Sequence, residues 1–138
     1  MLNPNLPARR VFIVGNNLLF EEGMAHLLTL GTGLDVSNIK YINDLAFLDM
    51  IGQGQPDVIV LNESTFIDSV HILELFSSIQ LLLSLCIIIV RLGNNMVDVY
   101  KLPKNQISKG NIHERRQFTV TKRDDLIAIV HGEFTKDL

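Results

Sequence analysis

Apolar residues run through the chain in short blocks, and the period inside a block changes from one to the next. RVFIVG (10–15) is a continuous apolar run closed by a glycine, the pattern of a strand buried on both faces of a parallel sheet. NLLFEEGMAHLLTLG (17–31) follows at helical spacing. Phe20, Met24, Leu27 and Leu28 share a face, Glu21 and Glu22 occupy the first turns, Asn17 is placed to cap the start and Gly31 to end it. LDVSNIKYI (34–42) predicts a second strand, DLAFLDMIG (44–52) a short helix, and PDVIVLN (56–62) a third strand opened by Pro56. This alternation predicts βαβ units.

DSVHILELFSSIQLLL (68–83) carries Ile72, Phe76, Ile79 and Leu83 on one stripe, widened by Val70, Leu73 and Leu81. Such a helix is either well buried, for instance beneath neighbouring β structure, or shares a face with a second copy of the chain, as in a homodimer. CIIIVRL (86–92) is β-branched enough for a fourth strand, and TKRDDLIAIVHG (121–132) predicts a final helix capped by Thr121 and closed by Gly132. The helix expected between them is missing. Turn signals at Gly93-Asn94-Asn95 and Lys109-Gly110-Asn111 instead separate MVDVYKL from RQFTV, which predicts extra β structure over 93–120.

With 138 residues the chain fits one domain, 1–138, with its core over 8–133 and an atypical β insertion at 93–120. Hydrophobic residues make up 47% and charged residues 20%, a globular rather than disordered profile. The net charge of −3 supplies no footprint for nucleic acid or an anionic membrane, and Arg9-Arg10 and Arg115-Arg116 stand as isolated pairs. The amino terminus lacks the apolar centre of a signal peptide. The uncharged run 75–90 falls short of the ~20 apolar residues of a membrane helix. Cys86 reads as a buried small hydrophobe, and a single cysteine fits a reducing, cytoplasmic setting.

The blocks resemble the receiver domain of bacterial two-component response regulators, in the branch whose members carry a LuxR-type helix-turn-helix. Receivers of that branch open V-L-I-V-D-D and continue L-F-R-E-G-L; here stand Val11-Phe12-Ile13-Val14-Gly15-Asn16 and Leu19-Phe20-Glu21-Glu22-Gly23-Met24 at the same spacing. The third strand of the family, P-D-V-V-L-L-D, is similar to Pro56-Asp57-Val58-Ile59-Val60-Leu61-Asn62, and its last helix, E-E-L-L-E-A-I, to Asp124-Asp125-Leu126-Ile127-Ala128-Ile129-Val130. The resemblance covers 8–92 and 121–133. It implies an α/β, doubly wound, parallel five-stranded sheet, flavodoxin-like and CheY-like with strand order 2-1-3-4-5, here with the fourth helix replaced by extra β structure around 94–120.

The same resemblance implies a degenerate phosphoacceptor pocket. Receivers gather three carboxylates around Mg²⁺ at the carboxyl ends of the first and third strands; the matching positions are Gly15, Asn16 and Asn62, all neutral. An amide is a poor substitute for the carboxylate that forms an acyl phosphate, so the chain is expected not to accept phosphate, and neither metal nor cofactor is implied. Glu63 follows Asn62, but strand alternation aims it to the other face. The Thr or Ser that reads the phosphoryl group is matched by Arg91. The family Lys has three competitors, Lys101, Lys104 and Lys122, and no Lys-Pro dipeptide.

Other chemistry has less support. His26, His71, His113 and His131 are scattered without metal-ligand spacing, and surface or cap roles are expected of them. No G-x-G-x-x-G or Walker lysine motif occurs; an anion at the first helix start is the remaining small-ligand option there. The expected function is a non-enzymatic pseudo-receiver, acting in a two-component, phosphorelay-type or transcription-regulatory pathway through protein partners. Two alternatives are a small-molecule or anion sensor using the crevice at the strand ends, and a regulator remnant without its DNA-binding part. Direct contact with nucleic acid or membrane is not expected.

Overall fold

A computed structural model describes residues 9–15, 18–29, 33–62, 68–77, 85–91, 95–102, 115–121 and 123–132. The elements are β1 (Arg9–Gly15), α1 (Leu18–Thr29), β2 (Leu34–Lys40), α2 (Asp44–Gly54), β3 (Val58–Asn62), α3 (Ser69–Ser77), β4 (Leu85–Val90), β5 (Met96–Leu102), β6 (Arg115–Thr119) and α4 (Arg123–His131). They build one six-stranded mixed sheet in the order β2-β1-β3-β4-β5-β6.

The four strands β2, β1, β3 and β4 pair in parallel, as the βαβ alternation predicts. Each interior one is a continuous apolar run because helices cover both of its faces: every residue of β3 is buried, as are Val11 to Gly15 in β1. Strand β2, at the edge, alternates instead. On one face Phe12, Val14, Ile59, Leu61, Ile87 and Ile89 pack under α2 and α3 through Phe47, Ile51, Ile72, Leu73 and Phe76. On the other, Val11, Ile13, Val58, Val60 and Ile88 pack under α1 and α4 through Leu28, Leu126, Ile129 and Val130. The apolar stripe of α3 is thus spent inside the chain as far as Phe76; the continuation of that stripe beyond residue 77 lies outside the described residues.

The expected all-parallel five-stranded sheet is corrected. β5 and β6 do lie in the 93–120 stretch, and β5 takes the fifth place in the order, but it runs antiparallel to β4, and β6 antiparallel to β5. Only residues 91–95 join β4 to β5. A parallel neighbour needs a crossover of a dozen residues or more, whereas a connection this short forces a hairpin.

The amino edge of the sheet is stitched by residues that the sequence presents as unremarkable. Arg9 Nε donates to Val130 O (2.8 Å) and Arg10 Nη1 to Gly54 O (2.7 Å), so the pair satisfies carbonyls at the carboxyl ends of α4 and α2. Asp57 Oδ2 accepts from Arg10 N at 2.8 Å, which fixes the start of β3 against β1. Asn43 caps α2 by accepting from Ala46 N (2.8 Å), and α2 ends on Gln55 in the left-handed region at φ 46°. Gly54 is required there, since a Cβ would lie 2.2 Å from the Phe12 ring. Thr121 does not act as an accepting cap for α4; its N–H and hydroxyl both donate to Asp125 Oδ2 at 3.0 Å. Gly132, at φ 79°, closes α4 as expected.

Candidate functional site

The strand order reverses direction between β1 and β3: the chain leaves β1 toward β2 on one side, then returns through α2 to β3 on the other. In open α/β sheets the crevice outside the carboxyl ends of two such strands is where ligands seat. Gly15 and Asn62 end those two strands, one step beyond the Val14–Leu61 pair. The structure therefore brings together two of the residues singled out by sequence. Asn16 lies outside the described residues, as do Glu63, Lys104, Lys122 and His113.

Asn62 is only 3% exposed, and its Oδ1 has no hydrogen-bond partner among the described residues. Alternation along β3 places it with Val58 and Val60, on the face covered by α1 and α4. A second buried oxygen without such a partner, Glu21 Oε1, belongs to the first turn of α1, which begins just past the end of β1 on that same face. Desolvation raises the Glu21 carboxyl above its ordinary value, and the charge of Lys40 partly offsets this. Lys40 ends β2 in register with Gly15. The crevice thus offers acceptor oxygens rather than the three carboxylates of a phosphorylation pocket.

The opposite face of the same edge carries a second polar cluster. Asp44, at the start of α2, accepts from the Tyr41 hydroxyl through Oδ1 and contacts His71 Nε2 through Oδ2 at 2.8 Å. Burial raises the Tyr41 phenol to about 12, helped by its hydrogen bond to Asp44 and the charge there. The same hydrogen bond, then that from His71, lowers the Asp44 carboxyl. His71 thus binds the start of α3 to the start of α2. His26 is exposed on α1, its carbonyl accepting from Thr29 Oγ1, and His131 ends α4.

Arg91, just past the end of β4, pairs with β5. Its Nη1 donates to Asp98 Oδ2 at 2.5 Å, while Gln117 Nε2 donates to Asp98 Oδ1 at 3.0 Å. Asp98 is 1% exposed, so a buried carboxylate has each oxygen paired. Because β5 is antiparallel, Lys101 pairs with Cys86 near the amino edge of β4, about four residues, or ~13 Å, from the level of Asn62. Cys86 is buried, and desolvation pushes its thiol up. Glu21, Asp98 and the Tyr41–Asp44–His71 cluster are the residues that sequence reasoning missed. Only Asp98 left a signal, as one charge inside the apolar run MVDVY.

No family model matches the chain, and no curated protein does. Among solved structures it is similar to a 4-N formyltransferase from Francisella tularensis, at 13% identity and a TM-score of 0.36 over 91% of this chain and 64% of that one. It is also similar to a variant of HypX from Aquifex aeolicus, at 13% identity and a TM-score of 0.35 over 90% of this chain and 25% of that one. The chain therefore spans less than two thirds of the length of either. The expectation of a non-enzymatic chain is withdrawn. A likeness at this level transfers neither reaction nor residues. Among the described residues no group of three or more His, Cys, Asp or Glu side chains could hold a metal, and no helix is long and apolar enough to cross a membrane.

Proposed function

We propose that this chain binds a small molecule in the crevice at the carboxyl ends of β1 and β3. The observation that carries this reading is Asn62: an amide oxygen buried at the topological switch point with no hydrogen-bond partner among the described residues. Buried acceptors are nearly always satisfied, and one left open at the place where such sheets take ligands is a position for a ligand donor. Asn62→Leu removes the amide while keeping comparable bulk. A thermal-shift screen of nucleotides, flavins, cyclic dinucleotides and small amines should contain a compound that raises the melting temperature of the wild type, with the rise lost in Asn62→Leu. A screen in which every shift survives the substitution sinks the reading.

A second reading, a receiver-like module working through a protein partner, is favoured by the apolar side chains around the Asp44–His71 pair. Leu45 is 82% exposed and Ile42 71%, and Val70 is also exposed. Glutamate at Leu45 and Val70 should abolish such an association.

A further inference from the structure

We infer that the face carrying Ile42, Leu45 and Val70 docks a cationic amphipathic helix of another protein; the inference rests on the second reading above, that this face binds a protein, and names the partner's chemistry. The charges of the chain are segregated. Residues 41–90 hold six acidic residues, Asp44, Asp49, Asp57, Glu63, Asp68 and Glu74, and neither Lys nor Arg. All 12 basic residues therefore lie outside the stretch that builds α2, β3 and α3, and the remainder of the chain is net positive. Lys40, the basic residue just before this stretch, acts on Glu21 of α1, in the opposite layer. Arg91, just after it, pairs with Asp98 of β5. Arg10 reaches α2 only at its far end, on Gly54 O, about nine residues or ~14 Å along the helix from Leu45.

Within this acidic layer the two helices present the same arrangement. α2 and α3 each lead from one parallel strand to the next over the same face, so both start at the carboxyl edge and run back across the sheet. Their inward sides are taken by Phe47 and Ile51 and by Ile72, Leu73 and Phe76, which leaves Leu45 and Val70, 82% and 52% exposed, directed away from the core. Each has an exposed carboxylate four residues on, Asp49 after Leu45 and Glu74 after Val70, on the same side of its helix. The contact of Asp44 with His71 at 2.8 Å holds the two starts together. Leu45 and Val70 adjoin those two residues in the chain, which limits their separation to less than ~20 Å, a span that a helix of about four turns covers. The face thus has an apolar row at the sheet edge and an acidic row one turn below. A second copy docking by the same face would set these carboxylates against themselves, since an isologous contact repeats one patch on both sides. Nucleic acid and anionic lipid carry the same sign as the face. A helix with aliphatic or aromatic anchors on one side and Lys or Arg beside them complements both rows, as helices that lie in apolar grooves do.

The probe is a capped peptide of about 18 residues, ~27 Å long as a helix, with Leu on one face and Lys on the other. A Leu/Glu peptide of the same pattern and a Leu/Lys peptide of shuffled order are the controls. Binding to the full chain is followed by fluorescence anisotropy of the labelled peptides, and oligomeric state by light scattering. The Leu/Lys peptide should bind, less tightly as salt is raised, and the Leu/Glu peptide should not. The shuffled peptide should bind at least about tenfold more weakly, because its charge is the same and its apolar face is gone. Leu45→Gln and Val70→Gln should each weaken binding about tenfold and Asp49→Asn roughly two- to fivefold, while Asp35→Asn on β2 leaves it unchanged. All four positions are exposed, so these variants keep the fold, which an unchanged urea midpoint checks. Failure of the Leu/Lys peptide to bind, or binding that Leu45→Gln and Val70→Gln do not weaken, overturns the inference. Equal binding of the shuffled peptide overturns it too, because charge alone then suffices. Binding of the Leu/Glu peptide that the two substitutions abolish overturns the cationic chemistry and leaves the face a docking surface. A dimer that they dissociate gives the face to a second copy instead. Peptide binding and mass that are both indifferent to Leu45 and Val70 end the inference and the reading it rests on.

Discussion

Asp44 shows how one carboxylate at a helix start can organise its surroundings. It sits where the α2 dipole favours negative charge, and it takes a hydrogen bond on each oxygen, from Tyr41 and from His71. The two partners respond with opposite signs. The Tyr41 phenol is raised to about 12, so its contribution to stability is fully present below the ordinary 10.0 and is lost as pH rises through about 12. The Asp44 carboxyl is lowered, so its contribution is present above the ordinary 3.8 and is lost as pH falls through the depressed value. Burial is the largest cause for Tyr41, ahead of Asp44, which fixes what a substitution can do. In a Tyr100→Phe background, phenolate absorbance should appear near pH 12, and adding Asp44→Asn should bring the midpoint down while leaving it above 10.0. An unchanged midpoint would show that the hydrogen bond contributes nothing. None of this was legible in the sequence, where Tyr41 closes an apolar strand pattern and Asp44 reads only as a first-turn acid.

The β4–β5–β6 unit is where element patterning was read correctly and its direction was not. Blocks of β-branched and aromatic residues predict strands over 96–102 and 115–119 well enough, because side-chain shape decides that locally. Direction depends on the length of connection, which is set by the few residues between Val90 and Met96 and which the family resemblance obscured. The antiparallel hairpin then sets Asp98 directly opposite Ile89 on one side and Gln117 on the other, and within reach of Arg91 just past β4. A buried pair of this kind contributes little over an apolar pair, yet breaking it leaves a charge without compensation. Arg91→Met should destabilise the chain by about 3 kcal/mol in urea unfolding, whereas Arg91→Met with Asp98→Leu should recover most of that loss. A single variant costing less than about 1 kcal/mol, or a double variant no better than the single, would falsify the view that Arg91 is a structural counter-ion. Its apparent match to a phosphate-reading position is then a coincidence of strand ends.

At the scale of the molecule, the carboxyl edge of the sheet carries both functional readings on opposite faces. Strand alternation puts Asn62 on the face that α1 and α4 cover, while Leu61, one residue earlier, faces α2 and α3. That Gly15 and Asn62 end neighbouring strands was legible in sequence, because a strand pattern fixes which residue ends a strand. The exposed face was not, since it is assembled from two helix starts that are distant in sequence and joined only by the 2.8 Å contact of Asp44 with His71. That contact draws Leu45 and Val70, each next to one member of the pair, into one area with Ile42. Apolar side chains this exposed contribute nothing to the folded core, so replacing them leaves stability nearly unchanged and reports on association alone. Leu45→Glu with Val70→Glu should keep the urea midpoint of the wild type within about 0.5 kcal/mol. If the face binds a second copy, light scattering at two concentrations should show a concentration-dependent mass for the wild type and a monomer for the variant. If it binds another protein, capture from host lysate should be lost in the variant while any Asn62-dependent thermal shift of the crevice persists. A variant that matches the wild type in both measurements removes the face from function and leaves the Asn62 crevice as the working end of the domain.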